Sequence, residues 1–471
     1  MPAEALSTKA MTGIGPSRAG PNSRCAVREV RMGGTRVDLE RGMTKTVSVE
    51  LAYGRTGLTV ELPSDRTTVV APAQPAAAPD AAAALRDALA EPVAGPPLRE
   101  RVRPGQRIAV SICDATRPQP REAMVRALLA ELEGIAGPDD FTLLVATGTH
   151  RGNTDEELRG MLGDELVDTL RIINHDARDP EVLRPVGTFG DGVQVLLNRH
   201  WVEADVRITT GFVEPHFFAG FSGGPKLVAP GLAGLDTVLT LHDAARIASE
   251  RATWAVCEGN PVHDDVRAIA AGTGVDFAFD VVLDREQRIV EAFGGDLLPM
   301  HAAAREVVRE LSMQPVPQRY DVVVTTNSGY PLDQNVYQAV KGMSAAATVV
   351  KPGGLIICAA ECSDGFPDHG SFREVLASEP TPEALLRAIS GRAEPVPDQW
   401  QVQILARVLT TARVGVHTTE LTDEQLRTAH LYRVDDITTA VADELAARGP
   451  EARVCVLPEG PQTIPYVSDQ A

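Results

Sequence analysis

The sequence predicts an α/β protein: two α/β domains with mainly parallel sheets and the active site in the cleft between them. Three observations carry this. Apolar runs of strand length alternate with amphipathic runs of helical period, the pattern of βαβ units. The alternation comes in two blocks, separated by the Pro-punctuated "LSMQPVPQRYD". The conspicuous polar clusters follow predicted strands at their carboxyl ends, where open parallel sheets bind ligands. A chain of 471 residues, 44% hydrophobic and 23% charged, is long enough for two or three ordinary domains with a large buried core.

Taken in order, residues 1–43 are arginine-rich, lack the continuous apolar core of a secretory signal, and are expected to be a disordered N-terminal extension. Residues 44–295 make the first domain. In it, the Ala- and Pro-rich 71–99 is a connecting segment around one short helix, "DAAAALRDALA". "RIAVSIC" (107–113) is a strand followed by the helix "REAMVRALLAELEGI", and "FTLLVAT" (141–147) a strand followed by the capped helix "NTDEELRGML". "LRIINHD" (170–176) and "RITTGF" are further strands, and "GLDTVLTLHDAARI" reads as one helix. The second domain, 296–440, holds the strand "YDVVVTT" (320–326), a helix near 333–349 and the strand "GGLIICAAE" (353–361). The tail, 441–471, closes with the strand-like "RVCVLPEG" and is expected to pack back on the first domain.

Composition removes several function classes. A formal charge of −19 disfavours nucleic acid or an anionic membrane as partner, so any anion site must be a local concentration of cations and backbone N–H groups. No apolar run of 18 or more residues exists to span a bilayer, and a cytoplasmic location is expected. The six cysteines form no C-x-x-C pair, which argues against a disulfide framework or structural zinc and for buried thiols. No G-x-G-x-x-G follows an early strand, so an NAD dehydrogenase fits poorly.

The polar clusters supply the candidate site. "CDATRPQP" places Asp114, Thr116 and Arg117 after the first strand, where the planar fork of Arg117 can grip a carboxylate or phosphate. "ATGTHRGNTDEEL" brings Gly148 and Thr149 for a tight turn, His150 as an acid or base near neutral pH, and a helix start suited to an anion. "GFVEPHFFAGFSGGPKLVAPG" (211–231) carries His216 and Lys226 among glycines, of which Gly220, Gly223 and Gly224 permit positive φ or close approach to a ligand. It lacks the Ser or Thr that would follow the lysine of a nucleotide-triphosphate loop. Desolvation of Lys226 would lower its pKa and make the amine chemically competent. His242 follows, and in the second domain Gln338 and Lys341, spaced i, i+3 on one helical face, stand with Tyr337 to close over a substrate. Singly, each residue has an ordinary structural explanation. Jointly they describe an α/β cleft enzyme with several histidines that recognises an anionic substrate or cofactor.

"DATRP", "GTHR", "EPHFFAGFSGGPK", the histidine of "LTLHDAARI" and "GYPLDQNVYQAVKGM" together resemble the nickel-dependent lactate racemase family, in its order and approximate spacing, from Thr44 to the 440s. The resemblance implies a cofactor, the nickel-pincer nucleotide (pyridinium-3-thioamide-5-thiocarboxylic acid mononucleotide), bound covalently at Lys226 in a first domain that is cofactor-binding. It implies His242 as the protein's ligand to Ni, and His150 and His216 as acid and base. Asp114, Thr116, Gly148, Thr149, Gly223 and Gly224 then belong to the cofactor's surroundings. Arg117, Tyr337, Gln338 and Lys341 belong to the substrate's.

On this resemblance the expected activity is inversion of C2 of a 2-hydroxy carboxylic acid, lactate by default, by proton-coupled hydride transfer. Hydride transfer avoids a carbanion at a carbon whose C–H bond is a very weak acid. Two bases on opposite sides suit two enantiomers, each contributing roughly 10²–10⁴-fold. Cofactor-maturation enzymes are the implied partners. The alternatives are epimerisation of a larger 2-hydroxy acid such as an aldonic acid, or a non-catalytic carrier of the pincer nucleotide.

Overall fold

The computed structural model describes residues 36–37, 45–367 and 370–468. The expected extension lies outside these except for Arg36–Val37, a two-residue strand antiparallel to Thr46–Leu51.

Two six-stranded sheets organise the molecule. In the first, the order is Ile289–Gly295, Phe277–Leu283, Val206–Phe212, Ile108–Cys113, Phe141–Ala146, Arg171–Asn174. All its pairings are parallel except that between Ile289–Gly295 and Phe277–Leu283. In the second, also parallel, the order is Tyr432–Arg433, Arg413–His417, Val350–Ala359, Tyr320–Thr326, Val454–Leu457, Thr67–Val69. The central strands read as unbroken apolar runs because helices cover both faces. Every residue of Ile108–Cys113 and of Tyr320–Thr326 is buried. Alternate side chains feed two cores: Val110, Leu143 and Ile208 point to one face, Ala109 and Leu144 to the other.

Strand pairing departs from the expected boundaries at both ends of the chain. Thr46–Leu51 and Leu58–Pro63 form a hairpin whose Val47, Val49, Leu51 and Leu62 pack on Val322, Val324 and Ile357 of the second sheet. Thr67–Val69 extends that same sheet. The first domain expected from residue 44 therefore begins after this segment. The tail, expected to return to the first domain, supplies Val454–Leu457 as an inner strand of the second sheet. It then pairs Ile464–Val467 with Met313–Val316. Short strands carry no local signal for their partner sheet; the uncovered apolar face and free edge choose it.

The helix expected across His242 is also two helices, Leu235–Leu241 and Ala244–Ala248. The Asp243 carboxylate accepts from the Arg246 N–H at 2.8 Å and starts a new helix, leaving His242 at the break. Cys113, Cys257, Cys358, Cys362 and Cys455 are free and buried. Among the described residues no helix is long and apolar enough to cross a membrane.

Candidate active site

Asp114 and His150 leave adjacent parallel strands, and the fold brings them together. Asp114 is 4% exposed, and its Oδ2 lies 2.7 Å from Nδ1 of His150. Thr116 donates its N–H to the same carboxylate at 3.0 Å. Burial pushes the Asp114 pKa up, but the hydrogen bond and charge of His150, with the charge of Arg117, outweigh it and hold the carboxyl well below its usual range. A carboxylate accepts only, so Nδ1 of His150 carries a hydrogen, and in the neutral form of the ring the lone pair is on Nε2. Gly148, at φ +57°, donates its N–H to the Gly231 carbonyl at 3.0 Å, tying this turn to the end of the lysine loop. The neighbouring Thr149 carbonyl accepts from Arg178. Thr154 caps the following helix with Glu157 as its reciprocal partner.

The lysine loop leaves Val206–Phe212, doubles back as Pro215–His216 against Gly220–Phe221, and enters a 3-10 turn at Gly224–Leu227. Phe218 is its hub. Its ring meets His216 edge-on at 4.5 Å and His242 edge-on at 5.3 Å, with Lys226 Nζ 5.8 Å from its centroid. Burial lowers the Lys226 pKa to about 7; the charges of Arg117 and Lys341 assist and Glu214 opposes. Burial also pushes His216 well below its ordinary value, helped by Lys226, Lys341 and Arg117. His216 Nδ1 accepts the Ala219 N–H at 3.2 Å, so its neutral form presents Nε2–H. His242, lowered to about 4 chiefly by burial, donates Nδ1–H to the Val238 carbonyl at 2.7 Å and keeps the Nε2 lone pair.

Gly223 and Gly224 take φ of +75° and +47°, as the glycine content leads one to expect. What stands behind them is protein. A Cβ on Gly223 would fall 2.7 Å from Asp280 Oδ2, and one on Gly224 2.8 Å from the His301 ring.

The second domain faces this loop with the helix Val336–Ala347, capped by Asn335. Lys341 Nζ donates to Gln338 Oε1 at 2.8 Å, so the i, i+3 pair shares a face as the spacing requires. Burial brings Lys341 to about 7, with Arg117 assisting. Tyr337 stacks edge-on against Phe372 at 5.2 Å; burial raises its hydroxyl pKa, and Asp398 adds to this. A cavity of about 400 Å³ between the domains is lined by Thr116, Arg117, Glu214, His216, Asn327 and Lys341, among others.

The fold thus groups His216, His242 and Lys226 around Phe218 within the fields of Arg117 and Lys341, while His150 is tied to Asp114. His175, at the end of "LRIINHD", is structural: Nε2 bonds the Ala233 carbonyl and Nδ1 meets Asn198. Sequence reasoning missed Phe218, Glu214, Asp280 and Trp400, whose ring lies 4.7 Å from His242. Phe218 and Glu214 sit inside the quoted motif and were within reach; Trp400 and Asp280 lie far from it, with no local signal. Among the described residues no group of three or more His, Cys, Asp or Glu could hold a metal ion.

The chain matches two family models, the lactate racemase N-terminal domain over residues 53–255 and the lactate racemase C-terminal domain over residues 316–464. It is 33% identical over 421 residues to the lactate racemase of Thermoanaerobacterium thermosaccharolyticum, covering 88% of this chain and 99% of that one. It is 36% identical over 378 residues to the lactate racemase of Lactiplantibacillus plantarum, covering 80% and 89%. The solved lactate racemase apoprotein from T. thermosaccharolyticum superposes with a TM-score of 0.84, covering 89% of this chain and 99% of that one. The chain belongs to the lactate racemase family, whose members are isomerases.

Proposed function

We propose that this enzyme inverts C2 of a 2-hydroxy carboxylic acid, lactate by default, using a nickel-pincer nucleotide bound covalently at Lys226. The observation that carries the reading is convergence. The desolvated amine of Lys226, titrating near neutral, shares Phe218 with two neutral imidazoles and lies within the fields of Arg117 on its own domain and Lys341 on the other. An amine neutral near pH 7 is nucleophilic enough to form the covalent link, and His242 has a free Nε2 to offer a metal. These residues fit the cofactor. When bound, the group supplies an electrophilic ring carbon able to hold a hydride, tuned by nickel and its sulfurs.

The chain's own residues do the rest. Arg117 and Lys341 neutralise the substrate carboxylate, and Gln338 holds Lys341 in place. His150, oriented by Asp114, takes the hydroxyl proton at Nε2. His216 enters with Nε2–H and offers a hydrogen bond to the substrate oxygen. To deliver a proton there it must first give up the Ala219 N–H and be protonated at Nδ1; the proton leaves from Nε2, and the neutral ring that remains has an Nε2 lone pair, the base for the opposite enantiomer. The buried rings of Phe217, Phe218, Trp254 and Trp400 exclude water from the reacting atoms. Asp114 with His150 also speaks against a mere carrier, which needs Lys226 but no oriented base.

A larger 2-hydroxy acid such as an aldonic acid is the second reading, favoured by Glu214, Asn327, Ser328 and Gln462, which line the cavity beyond His216 and could pair with hydroxyl groups. The test is protein co-expressed with cofactor-maturation enzymes, analysed by mass and metal content and screened with enantiopure 2-hydroxy acids by optical rotation. The expected result is added mass on Lys226, bound Ni and racemisation of lactate. Matured protein with neither Ni nor added mass on Lys226 would refute the cofactor. Inversion confined to polyhydroxy acids would favour the second reading.

A further inference from the structure

Beneath the lysine loop lies a set of buried polar side chains that the chemistry above does not use. Asp280, on the central strand Phe277–Leu283, is fully buried, and its Oδ2 accepts the Gly224 N–H at 2.6 Å. Oδ1 is buried as well and has at most the Gly211 backbone N–H as a partner. A carboxyl placed this way costs stability, and a fold retains it where it does something a hydrocarbon cannot. The bond lands two residues before Lys226, at the first residue of the 3-10 turn that carries it. The glycines of the loop fit the same carboxyl: a Cβ on Gly211 would lie 3.1 Å from Oδ1 and one on Gly223 2.7 Å from Oδ2. Alongside, His301 Nε2 bonds the Ser222 carbonyl at 2.8 Å and His263 Nδ1 the Ala219 carbonyl at 3.1 Å.

We infer that Asp280 is a positioning residue, whose bond to the Gly224 N–H seats the turn so that the Lys226 amine is held in its desolvated place ready to be modified. The seat belongs to the apoprotein, and only its purpose rests on the covalent role proposed for Lys226. Asp280→Asn keeps an acceptor of the same length; Asp280→Ala removes it and leaves the Gly224 N–H unpartnered.

The measurement is the pH profile of lysine acylation in intact apoprotein by a small amine-reactive reagent, read by peptide mass spectrometry at Lys226 and at Lys341. Lys341 is the control because it is also desolvated in the cleft but stands on the other domain. In the wild type the Lys226 midpoint is expected near 7. Asp280→Asn is expected to hold both midpoints. Asp280→Ala is expected to raise the Lys226 midpoint towards the ordinary lysine value of about 10.4 while Lys341 stays. Labelling of Lys226 at pH 7 then falls roughly tenfold for every pH unit by which its midpoint rises. An unmoved Lys226 midpoint in Asp280→Ala overturns the inference. So does a rise shared equally by both lysines, which would mark general loosening of the core, or one that Asp280→Asn fails to prevent. Because no cofactor enters the experiment, its outcome is independent of whether the nucleotide reading holds.

Discussion

Lys226 and Lys341 are both half-buried cations brought close to neutrality by desolvation in one cleft, yet they are placed by different means. Lys226 sits in a loop held from a distance: Gly224 N–H by Asp280, the Ser222 carbonyl by His301, the Phe218 carbonyl by Asn260 at 2.9 Å. Lys341 is placed by helical geometry, one turn from Gln338 and two from the Asn335 cap. The first arrangement provides a backbone shape no helix offers, with positive φ beside a reactive amine. The second tolerates change, because neighbouring turns hold the helix whatever happens to one side chain. The loop half should therefore carry the cofactor and the helix half the substrate.

Lys226→Ala should have the largest effect: no added mass in matured protein and racemisation reduced to background, with the second domain unaltered by circular dichroism. A covalent adduct elsewhere on the chain would break the comparison. Next, His150→Ala and His216→Ala should each lower kcat by roughly 10²–10⁴-fold while the Lys226 adduct persists. Full activity in either would remove that histidine from proton transfer.

Lys341→Ala separates the halves. It should leave the adduct mass intact and lower kcat/KM by about 1.5–3 kcal/mol, roughly tenfold to a hundredfold, through the lost charge-assisted contact to the carboxylate. Loss of the adduct there would mean that the helix also serves the cofactor.

The smallest effect concerns stability. Lys226 binds its proton near pH 7 in the fold and near 10.4 when unfolded, so between these values the unfolded chain holds a proton the native one lacks. Wild-type apoprotein should therefore gain stability as pH rises through that window. Lys226→Met lacks this linkage and should melt a few degrees higher, most at pH 7 and progressively less towards pH 10. An advantage independent of pH would mean that the amine is not desolvated in the apoprotein.

Much of the architecture was legible because its signals are local. Alternating strand and helix runs identified both sheets, the capped "NTDEELRGML" announced its helix start, and the i, i+3 spacing placed Gln338 beside Lys341. The polar clusters fell after strands, as parallel sheets demand. The same reading offered positive φ or close approach to a ligand for Gly220, Gly223 and Gly224; they adopt positive φ, and the neighbours of Gly223 and Gly224 are Asp280 and His301. It also ran one helix through His242, because a capping Asp243 in mid-pattern looks like any other polar position.

Periodicity, capping and turn chemistry act over a few residues, and these interactions were already written in the chain: the strands, the helices and the order in which reactive side chains leave them. Sheet membership of residues 45–70, the seat of Asp280 under Gly224 and the packing of Trp400 against His242 depend on partners far away in sequence. Burial and long-range pairing create those partners only once the chain has closed. The same closure desolvates Lys226, so the property on which its chemistry depends belongs to the folded molecule.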